Sequence, residues 1–282
     1  MSEKIIIDTD IGDNVDDALA LALACRSPEL ELLAVTTVWH NVADRVRLAR
    51  KLLRALGRPD APVGAGLGCP TGGAEDPERW LNQAVVLTEA ERAADVRDAP
   101  DAQRLLAETI ERHPGEVTLV PIGPLSNVAR LVRNAPATAR KLKRIVMMGG
   151  AYLTPHKAET NIRSDPEAAQ TVLESGIPLI AIGLDVTLKC QTTPEHIERI
   201  ARASDPGSQL LSRLIAAWSA ESRRHPILHD PLAVAMCFQP DLCELREMLV
   251  GVQLPQGLTI GASPAKHQPA NARVCVEVAA AR

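Results

Sequence analysis

Short apolar runs and longer helical patterns alternate along this chain. Runs rich in β-branched residues at 4–8, 31–38, 116–123, 144–149, 178–186, 248–254 and 273–278 predict strands. The stretches 16–26, 44–57, 101–113, 125–134, 165–175, 194–203, 207–222 and 231–237 place apolar residues at helical spacing and predict helices. Runs such as Val117-Thr118-Leu119-Val120 lack in-out alternation, as expected of strands covered on both faces. The succession of strand and helix predicts an α/β fold, an open, mostly parallel, doubly wound sheet flanked by helices. Residues 58–80 are rich in Gly and Pro and read as a long surface loop. No repeat, low-complexity tract or linker divides the chain, so one domain spanning 1–282 is expected. Ligands of such sheets sit outside the carboxyl ends of the strands, which directs attention to the residues after each strand.

Composition narrows the picture. Apolar residues make up 46% of the 282, enough for a sizeable core. The net charge of -4 gives no reason to expect nucleic acid or an anionic membrane as partner. No apolar run approaches the length of a membrane span. Met1-Ser2-Glu3-Lys4 leads into a strand without a secretory pattern, so a cytoplasmic protein is expected. The 6 cysteines include no CxxC pair and read as reduced core thiols. Aromatics are only 2%, so few side chains are candidates for stacking against a ligand.

The first predicted strand runs into Asp8, Asp10, Asp13, Asp16 and Asp17, with no basic residue among them. So many like charges in one turn repel unless a cation sits between them. A hard divalent ion prefers such oxygens, and Asp10 at a strand end and Asp17 at a helix start could grip it from two sides. One or two of these aspartates could instead favour the positive helix N-terminus. A phosphate-binding loop fits poorly, because the turn has one glycine and would repel phosphate. Taken alone, His229-Asp230-Pro231 reads as a helix cap followed by proline at the first helical position. Glu159 and Asn161 lie two apart, would point the same way from an extended segment, and suit sugar hydroxyls, unless the loop is merely solvated. Ser126 and Asn127 after Gly123-Pro124 likewise fit a helix cap.

Together these blocks resemble the inosine–uridine-type nucleoside hydrolases. The resemblance runs through Asp8-Thr9-Asp10-Ile11-Gly12 with Asp16-Asp17-Ala18-Leu19, Val35-Thr36-Thr37-Val38 with Asn41, and Ile122-Gly123-Pro124-Leu125-Ser126-Asn127. It continues through Ile145-Val146-Met147-Met148-Gly149-Gly150, Glu159-Thr160-Asn161, Asp165-Pro166-Glu167 and His229-Asp230-Pro231. It implies hydrolysis of a ribonucleoside to ribose and free base through an oxocarbenium-like transition state. It implies a calcium ion held by Asp10, Asp17, the Ser126 main-chain carbonyl and Asp230, with Asp10 also the general base for a calcium-bound water. Asp16 and Asn41 would bind the 2′-side hydroxyls, Glu159 and Asn161 the outer hydroxyls, and Met148 would line the pocket. His229 matches a position that protonates the leaving group or contacts the base. Relatives are commonly dimers or tetramers, so a homo-oligomer is expected.

The departures gather at the outer pocket. The segment after Gly150 is short, and Leu153-Thr154-Pro155-His156-Lys157 stands where a Gly-Asn step is expected. Thr160 replaces a Phe, and Trp80-Leu81-Asn82-Gln83 occupies the place of a His-Gly element. Relatives usually continue into a helix beyond the last strand. His156 and Lys157 are candidates for contact with a 5′-substituent. Two other readings compete: a non-catalytic nucleoside- or ribose-binding relative, and a magnesium-dependent phosphotransferase, whose Asp-x-Asp also follows a first strand.

Overall fold

The computed structural model describes residues 2–70, 73, 79, 81–154, 157–265 and 267–279. Among them, nine strands form a sheet: β1 (Glu3–Thr9), β2 (Leu30–Thr37), β3 (Val63–Ala65), β4 (Val117–Pro121), β5 (Arg144–Met148), β6 (Leu179–Ile182), β7 (Cys243–Gln253), β8 (Leu258–Ala262) and β9 (Ala272–Val278). Their order is β3-β2-β1-β4-β5-β6-β9-β7-β8. Every pairing from β3 across to β9 is parallel, and β7 runs antiparallel to both β9 and β8.

Side-chain alternation along β1 splits the core in two. Ile5 and Ile7 join one apolar cluster and Ile6 the other. The first cluster packs the helices Asp16–Arg26, Val42–Ala55, Pro206–Ser222 and His229–Ala235. The second packs Ala102–Arg112, Ser126–Asn134 and Pro166–Leu173 on the opposite face. The doubly wound, mostly parallel sheet expected from the sequence is therefore present.

Differences from the sequence-based elements have local causes. The apolar run 178–186 is not one strand: β6 ends at Ile182, and a short helix Leu184–Thr187 follows Gly183. Val186 and Thr187 are buried, so the run stays apolar while its geometry changes, which periodicity alone does not reveal. The three-residue β3 lies inside the stretch read as loop, and β8 was not anticipated. β7 begins earlier than expected because its first half carries the exposed charged residues Glu244, Arg246 and Glu247 rather than forming an apolar run. No helix of the described residues is long and apolar enough to cross a membrane.

The strand order reverses direction at β1. The chain moves outward from β1 to β2 and β3, then returns to place β4 on the other side of β1. The crevice at that reversal opens beyond the carboxyl ends of β1 and β4.

Candidate active site

The acidic turn occupies this crevice. β1 stops at Thr9, and the next helix starts at Asp16. The Thr9 hydroxyl donates to Asp17 Oδ1 (2.5 Å) and accepts from the Ile11 amide (3.1 Å), so the strand end orients the helix-borne carboxylate. At the exit of β4, a Cβ on Gly123 would lie 2.9 Å from Asp10 Oδ1 and 3.0 Å from the Asp10 amide. Only glycine lets the two strand ends approach this closely.

Carboxylate oxygens of Asp16, Asp17 and Asp230 all lie within 4.8 Å of one another. All three residues are buried. Asp230 arrives on the helix His229–Ala235, whose N-cap is Leu228, without a side-chain cap bond. Its carboxylate thus joins the cluster instead of capping the helix, contrary to the reading of that segment on its own. Burial raises the pKa of Asp16 to about 7, with the Asp10 charge adding to it and hydrogen bonds with Asp230 opposing it, and burial with the neighbouring carboxylate charges holds Asp17 and Asp230 well above the usual carboxylate range. Burial likewise raises Asp10 to about 6, with the nearby Arg45 guanidinium opposing it. A buried, all-carboxylate donor set that resists ionisation fits a hard divalent cation.

A cavity of about 310 Å³ opens over this cluster. It brings Asp10, Asp16, Asp17, Met148, Glu159, Asn161, His229 and Asp230 together, as the sequence led one to expect. Its opposite wall is set by backbone. Glu159 accepts from the amides of Gly150 (3.1 Å), Asn161 (2.8 Å) and Ile162 (3.0 Å), capping the helix Thr160–Ser164. Asn161 Nδ2 donates to the carbonyls of Ile122 (2.9 Å) and Met148 (3.3 Å), which pins the side chain to the ends of β4 and β5. Asp185 accepts from the Tyr152 amide (2.6 Å) and the Thr154 hydroxyl (2.7 Å), fixing the short segment after Gly150.

His229 Nδ1 lies 2.7 Å from the Thr187 hydroxyl, which leaves Nε2 for the cavity that the residue lines. Burial, and then the positive charge of Lys157, lower the His229 pKa to about 4. Lys157 does not line the cavity, and His156 and Trp80 lie outside the described residues.

Two expected site residues are absent from the cavity lining. Asn41 caps the helix Val42–Ala55, accepting from the Asp44 amide (3.1 Å) and donating to the Asp44 carboxylate (3.1 Å) and the Arg79 carbonyl (3.2 Å). It does not line the cavity. Ser126 also lies outside the lining, and its hydroxyl donates to Asp165 (2.6 Å). Asp10 lines the cavity but is not in the tight triad, where Asp16 takes the place expected of it.

The structure also adds residues to the cavity lining. Asn14, Trp39 and Arg79 line the cavity. Trp39 follows β2, so the strand-end rule marked its position, but the expected role went to its neighbour Asn41. Asp8, fully buried, accepts from Thr36 (2.6 Å) and Asn127 (2.7 Å) behind the turn, and burial raises its pKa to about 7. Arg45 had no local signal, because it sits inside a helical pattern, yet its buried guanidinium reaches the Asp13 carboxylate at 2.9 Å.

The whole construction has counterparts. A family model described as inosine-uridine preferring nucleoside hydrolase matches residues 5–282. Uridine nucleosidase 1 of Arabidopsis thaliana is 33% identical, over 92% of this chain and 80% of that protein. The pyrimidine-specific ribonucleoside hydrolase RihA of Shewanella sp. (strain ANA-3) is 36% identical, over 97% and 91%. Among solved structures, a purine-preferring ribonucleoside hydrolase from Gardnerella vaginalis superposes with a TM-score of 0.84 at 28% identity, covering 99% of this chain and 95% of that one. With a matching model across almost its whole length and the acidic crevice at the sheet's switch point, the chain belongs to the inosine-uridine preferring nucleoside hydrolase family, enzymes that hydrolyse the N-glycosidic bond of ribonucleosides.

Proposed function

We infer that the cavity binds a ribonucleoside over a calcium ion and that Asp10 activates the water that releases the base. The observation that carries this reading is the convergence of buried carboxylates from two helices beneath a cavity whose far wall holds Glu159, Asn161 and His229. The proposed ligands are Asp17 and Asp230 from the triad, Asp10 from the cavity wall and the Ser126 main-chain carbonyl, with Asp16, the third member of the triad, between the ion and the sugar. Bound there, a divalent ion offsets the carboxylates and acidifies a neighbouring water.

The chain's own groups supply the rest. Asp10 lines the cavity beside the carboxylate cluster, where its carboxylate can take a proton from water attacking the anomeric carbon. Positive charge builds on the ribose ring as the bond stretches, and the carboxylates lining the cavity face that charge. Direct attack by water inverts the anomeric centre and needs no covalent nucleophile. Glu159 and Asn161, locked by backbone partners, hold the outer hydroxyls without reorganising. His229 is neutral at pH 7, so its part is to donate a hydrogen bond from Nε2 to the departing base while Thr187 holds Nδ1. In this reading the protein works in the cytoplasm as a homo-oligomer, a dimer or tetramer.

Reducing-sugar release from a nucleoside panel tests the reading, with Asp10→Ala as control. The panel includes both pyrimidine and purine nucleosides, since the relatives divide between them, and 5′-modified substrates. Release by the wild type and its loss in Asp10→Ala is the expected result. Nucleoside binding without release would favour the non-catalytic alternative.

A further inference from the structure

Arg45 is fully buried, although its charge would ordinarily seek water. The helix Val42–Ala55 carries it beneath the acidic turn. Its Nε donates to the Trp39 carbonyl at 2.6 Å. Nη1 donates to the carbonyls of Asp10 and, at 3.0 Å, Ile11. Nη2 donates to the Asp13 carboxylate at 2.9 Å. One planar fork therefore joins two separate turns, the one leaving β1 and the one leaving β2. A lysine ammonium, a single point of charge, does not span such a set.

The second turn needs holding. Trp39 and His40 have φ of 80° and 49°, left-handed values that non-glycine residues adopt at a cost. The Trp39 and His40 amides donate to the carbonyls of Leu67 (2.7 Å) and Gly68 (2.6 Å), and Arg45 closes the turn from the other side. Asp10 and Trp39 both line the cavity, and Arg45 does not. We propose that Arg45 is a positioning residue for hydrolysis: it ties the Asp10 turn to the Trp39 turn and aims the Asp10 carboxylate, with Asp13 as its counter-charge. Asp13 thereby gains a role that neither metal nor sugar gave it. The kinetic part of this inference rests on Asp10 being the base.

The test is a double-mutant cycle on the full-length, calcium-loaded enzyme, read with an activated arylriboside. Arg45→Lys keeps the charge and loses the fork. Its kcat should fall about 10- to 100-fold with KM within about threefold, as for a misplaced catalytic group. In the Asp10→Asn background the same change should alter kcat by less than about twofold, because the group being aimed is gone. Equal losses in both backgrounds, or a loss confined to KM, would overturn the proposal. Should Arg45→Lys fail to fold, Asp13→Asn leaves the three carbonyl contacts in place. It should lower kcat about 3- to 10-fold through the same cycle, and an unchanged kcat would overturn the proposal. An optical readout separates the clamp from the reaction. With Trp80→Phe and Trp218→Phe, Trp39 is the last of the 3 tryptophans, and its quenching by acrylamide should rise in Arg45→Lys or Asp13→Asn. Unchanged quenching sinks the clamp. Failure of the wild type to release ribose sinks the reaction reading instead, and the quenching result then decides the clamp alone.

Discussion

Stripped of divalent metal, the protein should lose stability as pH rises from about 4 to above 7. The perturbation acts on the buried triad. Asp16 rises from an ordinary 3.8 to about 7, first because burial removes water from its carboxylate. Between those values the folded chain keeps a proton that the unfolded chain has lost. Folding then takes up protons, so the stability present below the lower value is lost as pH passes the upper one. At 1.36 kcal/mol per pH unit, Asp16 alone accounts for on the order of 4 kcal/mol. Asp17 and Asp230 shift in the same direction. A chain of this length unfolds with an entropy of about 0.6 kcal/mol/K, so the loss corresponds to a Tm drop of ~7 °C. Calorimetry of metal-free protein between pH 4.5 and 7.5 measures it, with Asp16→Asn isolating this group from the rest of the titration. The metal-free variant should lose less stability over that range, and near pH 7.5 it should be more stable than the metal-free wild type. Saturating calcium should flatten the wild-type profile. Identical pH slopes for the two metal-free proteins, or a Tm at pH 7.5 that calcium does not raise, would refute the argument.

Other consequences are more local. Thr9→Val removes the hydroxyl that orients Asp17, and calorimetric titration should show calcium affinity lower by about 10-fold or more, while unchanged affinity would mean that Asp17 is not a ligand. His229→Ala should slow natural nucleosides much more than activated arylribosides, because only the former need help at the departing base; equal slowing removes that role. Asn41→Ala should cost about 1 kcal/mol of stability as a lost helix cap, with KM little changed. A large rise in KM at unchanged stability would return Asn41 to the sugar.

Legibility in the sequence followed the range of each interaction. The helix after the acidic turn was readable to the residue because Asp16 and Asp17 open an uninterrupted apolar run. β6 was overrun, because the buried helix after Gly183 is as apolar as the strand before it. The acidic turn announced itself through charge density, which needs no fold to be noticed. Asp230 looked like a cap until the fold packed its helix against Asp16–Arg26. Thr187 was invisible because its partner is 42 residues away, and Arg45 because its partners in the acidic turn are 32 to 35 residues away, so that only the sheet order brings them together. Asn41 shows the converse: a resemblance assigned it to the sugar, while the local preference of asparagine for a helix N-terminus describes what its side chain does here.

Ribonucleoside hydrolysis by this chain depends, in this reading, on a divalent ion held by the buried carboxylates. The decisive measurement is ribose release from uridine and inosine after exhaustive chelation and again after adding calcium. Chelation should abolish release and calcium should restore it; undiminished release from metal-free protein would rule out the ion's part in hydrolysis.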